Sequence, residues 1–377
     1  MKVIVIPDSY KGCLSSKAVG EAMIEGIKTV DLDYQVQQFL IADGGEGTVE
    51  AFVEARHGQY LTIKTVDCFL NPIDVIVGII DHTKVVMEVA NIVGLAKLKK
   101  EELNPWEATS YGVGIVIKEL LKLGYRKIII GLGGSCTNDG GMGMLQALGM
   151  IFKDKDGDIL KYGAKELAKI VTIDDKLIDL HDAELVVASD VTNKLLGENG
   201  ATLIYGPQKG ADQKTLVQIE KGMENYARIM SKYGYHLDDI ISGGAAGGLG
   251  AAILGALKAT CSSGIDMLLK TINFENELTN DCIVISGEGQ SDAQSANGKV
   301  ISGISKLTKK KHIPLFIISG ALNEGYQRLY DLGVTKAYAL MDIAKDKDDS
   351  FRNAEYLIKK ITANLLLENN VISHDYN

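Results

Sequence analysis

Residues 127–149, KIIIGLGGSCTNDGGMGMLQALG, carry the densest group of side chains suited to binding a phosphate. Three isoleucines at positions 128–130 predict a strand, and the apolar spacing from Met144 onward predicts a helix. The glycines between them let the backbone approach a ligand closely, and the helix start offers unpaired N–H groups to an anion. We therefore expect phosphate oxygens at Gly133, Gly134, Ser135, Thr137 and Asn138, and a magnesium ion at Asp139. A tight strand-to-helix turn with a capping side chain is the alternative.

Two similar turns follow short apolar strands nearer the N-terminus. PDSYKG at residues 7–12 places Asp8 and Lys11 after one strand, and ADGGEGT at residues 42–48 places Asp43, Gly44 and Gly45 after the next. Ligands of open α/β sheets bind at the carboxyl ends of strands. We therefore predict that Asp8 and Lys11 are catalytic, that Asp43 binds a metal, and that Gly44 and Gly45 bind a nucleotide. A solvated ion pair in a turn is the alternative for Asp8 and Lys11.

A fourth strand end contains Asp190, which follows the apolar run at residues 185–188. A carboxylate at the end of a rigid strand can accept a hydroxyl proton, so we predict that Asp190 is the general base. Thr192 and Asn193 are expected to orient it through hydrogen bonds. A magnesium ligand and a plain turn aspartate are the alternatives.

The C-terminal part repeats the pattern of a strand followed by a loop. Residues 282–285 predict a strand, and GEGQSDAQSANGK at residues 287–299 is expected to form a loop before a helix. We predict nucleotide binding at Gly287, Glu288 and Lys299, with Asp292 in a similar role. Lys209, in the block YGPQKGA, is a third candidate cation beside Lys11 and Lys299.

Composition and charge exclude several kinds of partner. A net charge of −9 gives no basic field with which to displace counterions, so we expect no nucleic acid. The apolar N-terminal run is too short for a membrane span, and five scattered cysteines without CxxC spacing are typical of a reducing cytoplasm. Cys136 is predicted to be a packing residue, with a reactive thiol as the alternative. A P-loop GxxxxGK[ST] motif is missing from the sequence.

The length of 377 residues and the rhythm of the predicted elements indicate two domains. Both chain ends alternate strand and helix, whereas residues 60–91 predict antiparallel strands and residues 104–123 predict one helix starting near Pro105. We predict two α/β domains. Residues 1–60 plus 280–377 form a Rossmann-like parallel-sheet domain built from both chain ends, and residues 61–279 form an inserted α/β domain with a mixed sheet that carries the central glycine loop.

Seven blocks, in this order, cover nearly the whole chain: PDSYKGCLSS, IADGGEGT, GLGGSCTNDGGMGMLQALG, SDVTNKLLGENGA, YGPQKGA, GGAAGGLGAA and ISGEGQSDAQSANGK. Together they resemble the type I family of bacterial glycerate kinases. The resemblance implies ATP- and magnesium-dependent phosphorylation of D-glycerate to 2-phosphoglycerate, by a two-domain α/β protein with a Rossmann-like half. Cys13, Cys136 and the pair Gln290-Ser291 depart from the family pattern, and the last departure weakens a phosphate-binding role for position 290.

Three alternatives stay open at this point. The product could be 3-phosphoglycerate, or the acceptor could be another small hydroxy acid, because nothing in the loops encodes glycerate uniquely. A non-catalytic nucleotide-binding module is the third. The density of acidic residues beside the glycine loops disfavours it.

Overall fold

The structure, a computed structural model, describes residues 1–42, 44–176, 180, 182–293, 295 and 300–369. Its contacts group the chain into two compact units. Unit 1 comprises Met1–Ala42 and the chain from Ile265 onward, and unit 2 comprises Asp43–Gly264. Unit 2 is therefore inserted into unit 1.

Strands and helices alternate along most of the chain. The strands are β1 (Lys2–Val5), β2 (Gln35–Gln38), β3 (Gln59–Val66), β4 (Pro72–Ile79), β5 (Lys84–Glu88), β6 (Lys127–Gly131), β7 (Ile151–Lys153), β8 (Thr172–Asp174), β9 (Glu184–Ala188), β10 (Thr260–Ser262), β11 (Cys282–Ser291), β12 (Leu315–Leu322) and β13 (Lys336–Ala339). The α-helices are α1 (Ser16–Val30), α2 (Thr48–Arg56), α3 (Val89–Val93), α4 (Tyr111–Lys122), α5 (Met142–Ala147), α6 (Ala201–Tyr205), α7 (Gln213–Lys232), α8 (Leu249–Ala251), α9 (Gly264–Thr271), α10 (Phe274–Glu277), α11 (Val300–Lys311), α12 (Arg328–Asp331), α13 (Lys347–Arg352) and α14 (Ala354–Glu368).

Unit 1 contains a five-stranded parallel sheet in the order β13-β12-β11-β1-β2. The chain moves outward from β1 to β2 and later from β11 to β13 on the other side. The strand order therefore reverses between β1 and β11, and ligands of such sheets bind in the crevice at that point. Because β1 and β11 come from opposite ends of the chain, this crevice exists only after both ends have paired.

The core of unit 1 forms where helices α1 and α14 pack together on the sheet. In α1, Val19, Met23 and Ile27 recur every four residues along one helix face, and all three are fully buried. The Ser15 side chain accepts a hydrogen bond from Ala18 N and so caps the helix. At Gly26 a side chain would meet the backbone of α14, since a Cβ there would lie 2.5 Å from the carbonyl oxygen of Lys359.

Unit 2 contains a six-stranded mixed sheet in the order β10-β9-β6-β5-β4-β3. Strands β5, β6, β9 and β10 are parallel, whereas β3 and β4 form an antiparallel hairpin that joins the edge of β5. The carboxyl ends of β5, β6 and β9 therefore lie side by side. These observations confirm the predicted fold class: a Rossmann-like parallel-sheet unit from both chain ends and an inserted unit with a mixed sheet.

The contacts divide the chain after Ala42 and Gly264, whereas the sequence predicts divisions near residues 60 and 280. Helix α2 lies in unit 2 because it packs on β4 and β5; a Cβ at Gly78 of β4 would meet the Val53 side chain at 2.5 Å. At the other end, Ile265 packs against Gly303 of α11 in unit 1.

The predicted helix over residues 104–123 is shorter in the structure. Helix α4 begins at Tyr111, because Thr109 and Ser110 instead direct hydrogen bonds to the carboxylate of Asp139. Within the described part of the chain, none of the helices combines the length and the apolar character needed to cross a bilayer.

Candidate active site

The two glycine-rich turns of unit 2 pack backbone against backbone. Gly133 N donates a hydrogen bond to Gly44 O at 3.0 Å, and a Cβ at Gly133 would lie 2.6 Å from Gly45 Cα. Gly44 itself has a φ of +89°, and a Cβ there would lie 2.5 Å from the carbonyl oxygen of Ala188 at the end of β9. Only glycine fits these contacts. The turn after β2 thus joins the ends of β6 and β9.

We expect Gly133→Ala to abolish most activity, because neither backbone at this contact can yield without moving a turn. The overpacking should also lower the free energy of unfolding by about 1–3 kcal/mol. Turnover and urea unfolding measure the two effects. Gly157→Ala is the control for turnover: that glycine has nothing within 4 Å of its Cβ position and lies in another turn, and its φ of +87° gives the control a comparable loss of stability without the close backbone contact. Wild-type turnover in Gly133→Ala would refute the contact's importance.

Asp139 holds the glycine loop together from inside. Its carboxylate is fully buried and accepts hydrogen bonds from Thr109 Oγ1, from the N and Oγ of Ser110, and from the N–H groups of Gly141 and Gly143, at 2.7–3.2 Å. Burial raises the pKa of this carboxyl group, and the backbone hydrogen bonds oppose the rise. Four of these donors are on Oδ2 and one, Gly141 N, is on Oδ1, and the magnesium role of Asp139 stays a prediction. Its environment is that of a loop anchor.

The buried half of the loop contacts a buried lysine. Lys209 is 3% exposed, and its Nζ donates to Ser135 Oγ at 3.1 Å and to Thr137 O at 2.7 Å. Burial lowers the pKa of Lys209 to about 8, against the opposing effects of Cys136 and Asp139. The sequence marked Lys209 as a cation but gave no sign that it lies beneath the central loop.

Exposure divides the predicted phosphate-binding residues into two groups. Gly134 is exposed and Gly133 is half-buried, whereas Ser135, Thr137 and Asn138 are buried. Thr137 Oγ1 and both polar atoms of the Asn138 side chain have no hydrogen-bond partner among the described residues. Gly133 and Gly134 therefore present the accessible backbone of the loop.

A second strained turn supports the loop from the side of α8. Ala246, Gly247 and Gly248 have consecutive φ values of +52°, +67° and +91°. Gly247 O accepts from Gly140 N at 3.0 Å, and a Cβ at Gly247 would lie 2.0 Å from Thr137 O. A left-handed alanine costs about 1 kcal/mol or more, and such strain gathers at functional sites. The GGAAGG block is thus a close backbone contact, followed by a short π-helix at Ala252–Ala256.

Asp190 follows β9, two residues after Ala188, and is half-buried. The predicted orienting role of Asn193 differs from what the structure shows. Asn193 Nδ2 donates to Asn199 O, and its Oδ1 accepts from the hydroxyl of Tyr205, both at 2.7 Å. Thr192 is exposed. The Asn193 side chain is therefore occupied in closing its own loop.

In unit 1, Asp8 lies at the crevice where the strand order reverses. Asp8 N donates to Gly287 O at 2.8 Å, and Asp8 Oδ1 accepts from Ser9 N at 2.7 Å. Lys11 is exposed in the same turn. The structure thus brings Asp8 and Gly287 together from opposite ends of the chain.

Gly287 and Glu288 lie in strand β11, and the prediction that they belong to a loop is wrong. Residues 286–291 continue the pairing with β12, and a Cβ at Gly287 would lie 2.0 Å from Ile318 O. Glu288 is buried, and its Oε1 accepts from Ser291 Oγ at 2.9 Å. Ser291 Oγ in turn lies 2.7 Å from Ser319 Oγ. The sheet therefore holds Glu288 rigidly.

Two predicted residues, Asp43 and Lys299, lie outside the residues that the structure describes. Asp292 is half-buried beside Ser295, whose hydroxyl accepts from Asp292 N at 3.1 Å. Across the described ranges, no three His, Cys, Asp or Glu side chains converge as a metal site. Cys136 is buried with Cys68 in the core of unit 2, which matches its predicted packing role.

Glu88, the last residue of β5, is a candidate site residue that the sequence motifs do not indicate. Its carboxyl group is 3% exposed and accepts a hydrogen bond from Val49 N at 2.5 Å. Burial raises its pKa to about 7, the carboxylates of Glu46 and Glu50 add to the rise, and backbone hydrogen bonds from Val49 and Gly47 oppose it. The sequence feature that could have identified Glu88 is a carboxylate residue at the end of an apolar strand.

Known proteins resemble this chain along its whole length. A family model described as "Glycerate kinase family" matches residues 3–368. The chain is 36% identical over 370 residues to the protein named "Glycerate 2-kinase" from Escherichia coli (strain K12), covering 97% of each. It is 35% identical over 362 residues to "Glycerate kinase" from Bacillus subtilis (strain 168), covering 95% of each. A crystal structure described as a glycerate kinase 2 from Salmonella typhimurium LT2 superposes with a TM-score of 0.81, at 32% identity and full coverage of both chains.

Proposed function

The chain belongs to the glycerate kinase family, and from this premise we propose that it transfers the terminal phosphoryl group of ATP to the 2-hydroxyl group of D-glycerate. The products are 2-phosphoglycerate and ADP. The choice of the 2-hydroxyl is supported by the relative named "Glycerate 2-kinase", which is 36% identical over nearly the whole chain.

The observation that carries the proposal beyond the family is the joined pair of glycine turns in unit 2. The backbone of half-buried Gly133 and exposed Gly134 follows the end of β6 and is fixed by the hydrogen bond from Gly133 N to Gly44 O. Backbone N–H groups in such turns suit phosphate or carboxylate oxygens. We assign anion binding to the exposed backbone of Gly134, and the holding of this turn to Gly44, Gly45 and Gly133, because Gly44 and Gly45 are buried and Gly133 N already donates to Gly44 O. Ser135, Thr137 and Asn138 shape the loop from below.

The acid group of the substrate needs positive charge nearby. The chain has five arginines, and none lies in a glycine-rich block, which disfavours a bidentate arginine clamp. The buried ammonium of Lys209, which contacts the loop at Ser135 and Thr137, supplies a positive potential instead. Recognition of the carboxylate thus combines backbone N–H groups with a single lysine charge.

Phosphoryl transfer requires a group that takes the hydroxyl proton, and we assign this role to Asp190. Its position after β9 supports the choice, because a strand fixes the residue better than a free loop does. In unit 1, the reversal of strand order between β1 and β11 supports ligand roles for Asp8, Lys11, Gly287 and Glu288. A nucleotide-binding role for Lys299 is proposed from the sequence alone.

We expect activity to depend on magnesium, with manganese as a substitute. A bound magnesium ion neutralises charge on the transferring phosphates. The proposed ligands are Asp43 and Asp139, from the sequence, with Asp190 as an alternative to its role as base; Asp139 would bind through Oδ1, since Oδ2 accepts from four protein donors. Excess EDTA should abolish turnover, and added magnesium should restore it. Full activity in EDTA would contradict this expectation, and Asp43→Ala with unchanged magnesium dependence would make Asp43 a turn residue.

A substrate panel tests the proposed reaction. Purified protein with ATP and magnesium is offered D-glycerate, L-glycerate, lactate, glycolate and tartronate, and ADP release is followed. We expect D-glycerate to give the highest kcat/KM. ATP binding without ADP release for any acceptor would instead identify a non-catalytic nucleotide-binding protein.

A further inference from the structure

Helix α2 begins in an unusual way, and Glu88 compensates for it. The N-cap residue is Gly47, whose φ of +87° favours glycine, and glycine has no side chain with which to cap a helix. One N–H group of the first turn is satisfied from another element, since the carboxyl group of Glu88 accepts from Val49 N, while Thr48 N donates to Gly45 O. A strand residue thus performs the capping that position 47 cannot.

Glu88 also lies directly beside the central glycine loop. In the register of β5 and β6 it pairs with Gly131, where that loop leaves the strand. The turn at residues 44–47, which Glu88 holds at one end, is held at the other by the hydrogen bond from Gly133 N to Gly44 O. Glu88 and Gly133 therefore fix the same turn from two neighbouring strands.

Burial of this carboxyl group opposes its ionisation, and two other acids face it. Glu46 lies in the turn and Glu50 in the first turn of α2, and both carboxylates repel a charge on Glu88. A neutral acceptor would satisfy a helix start with less desolvation, so helix stability alone does not account for an acid here. The strong hydrogen bonds that a carboxylate makes suit a turn that must keep one geometry.

We propose that Glu88 is a positioning residue of the phosphoryl-transfer site, which fixes the turn at residues 44–47 against the central glycine loop. This inference rests on the proposed function for its kinetic consequence. The Glu88 carboxyl group accepts a hydrogen bond from the backbone of Val49 and has no assigned contact with substrate. Its effect on the reaction passes through the position of Gly44 and Gly45.

The test compares Glu88→Ala and Glu88→Gln with the wild-type protein. Glu166→Gln is the matched control, because Glu166 is a buried acid of the same unit that pairs with Lys169, away from both glycine turns. We expect kcat/KM to fall about thirtyfold or more in Glu88→Ala and about tenfold in Glu88→Gln, since the amide keeps one acceptor oxygen but lacks the charge. The control should stay within twofold of wild type.

Two further readouts separate positioning from a general loss of stability. Amide hydrogen exchange without substrate should be faster at Val49 in both Glu88 variants and unchanged in Glu166→Gln. The wild-type kcat/KM should fall as pH drops through about 7, where Glu88 gains its proton, and this limb should be missing in Glu88→Gln. Unchanged exchange at Val49, or wild-type kcat/KM in Glu88→Gln, would overturn the proposal. The exchange measurement needs no acceptor, so it remains decisive even if glycerate is not the substrate.

Discussion

Replacing Asp190 by asparagine is expected to lower turnover about a hundredfold or more, while the affinity for MgATP changes little. Asparagine keeps the size and the hydrogen-bonding oxygen of the side chain but cannot accept the hydroxyl proton. The measurement is steady-state kinetics with D-glycerate, together with ATP binding followed separately. Asp239→Asn is the control, because Asp239 is an exposed carboxylate of the same unit that pairs with Lys194.

The outcome also distinguishes the two roles proposed for Asp190. If it binds magnesium, the affinity for MgATP should fall together with turnover, and manganese should restore part of the activity. Near-normal turnover in Asp190→Asn would remove the residue from the mechanism. The proposed base would then be Asp8, which follows β1 at the crevice of unit 1.

Replacing Lys209 by methionine is expected to lower kcat/KM about a hundredfold. The change removes the buried charge and leaves Ser135 Oγ and Thr137 O without their donor. Stability should change by less than about 2 kcal/mol, because losing two hydrogen bonds is offset by no longer burying a charge. Lys214→Met, at an exposed position of α7, is the control. Wild-type kcat/KM in Lys209→Met would contradict the assignment.

The pH dependence gives an independent check on Lys209. Burial lowers its pKa from 10.5 to about 8, so wild-type activity should fall as pH rises through about 8. The residual activity of Lys209→Met should not show this decrease. The unfolded chain binds more protons than the folded protein between these values. The free energy of unfolding of the wild type, relative to Lys209→Met, should therefore increase with pH from about 8 to 10.5.

Most strands could be predicted from the sequence because their signals are local. The β-branched residues of β1 and β6 are buried on both faces of parallel sheets, and such strands are continuous apolar runs. Strand β11 was predicted too short because Gly287, Glu288 and Ser291 do not favour strands on their own. Pairing with β12, about 30 residues further along, decides their conformation.

The interior of the candidate site depends on contacts that no local pattern encodes. The start of α4 moves to Tyr111 because Asp139, about 30 residues later, accepts from Thr109 and Ser110. Asn193 was expected to orient Asp190, but Tyr205 and Asn199 occupy its side chain. In each case a tertiary hydrogen bond overrides the role suggested by neighbouring residues.

The positions of the glycine-rich turns were the part of the site that the sequence predicted best. The contacts of these turns were the part that it predicted least well. Their location after strands follows from the order of apolar runs and glycines along the chain. That Gly133 packs on Gly45, and that the start of α2 is capped by Glu88, depends on the register of β5 and β6. One residue of slippage would move Glu88 to the other face of the sheet.

The most direct test of the central claim is a proton-coupled phosphorus NMR spectrum of the product formed from D-glycerate, ATP and magnesium. We predict a phosphomonoester signal split into a doublet by the single proton on carbon 2, which identifies 2-phosphoglycerate. A triplet from the two protons on carbon 3 would contradict the proposed position of transfer. The absence of any phosphomonoester signal, with protein that is folded and binds ATP, would contradict the claim that this chain phosphorylates glycerate.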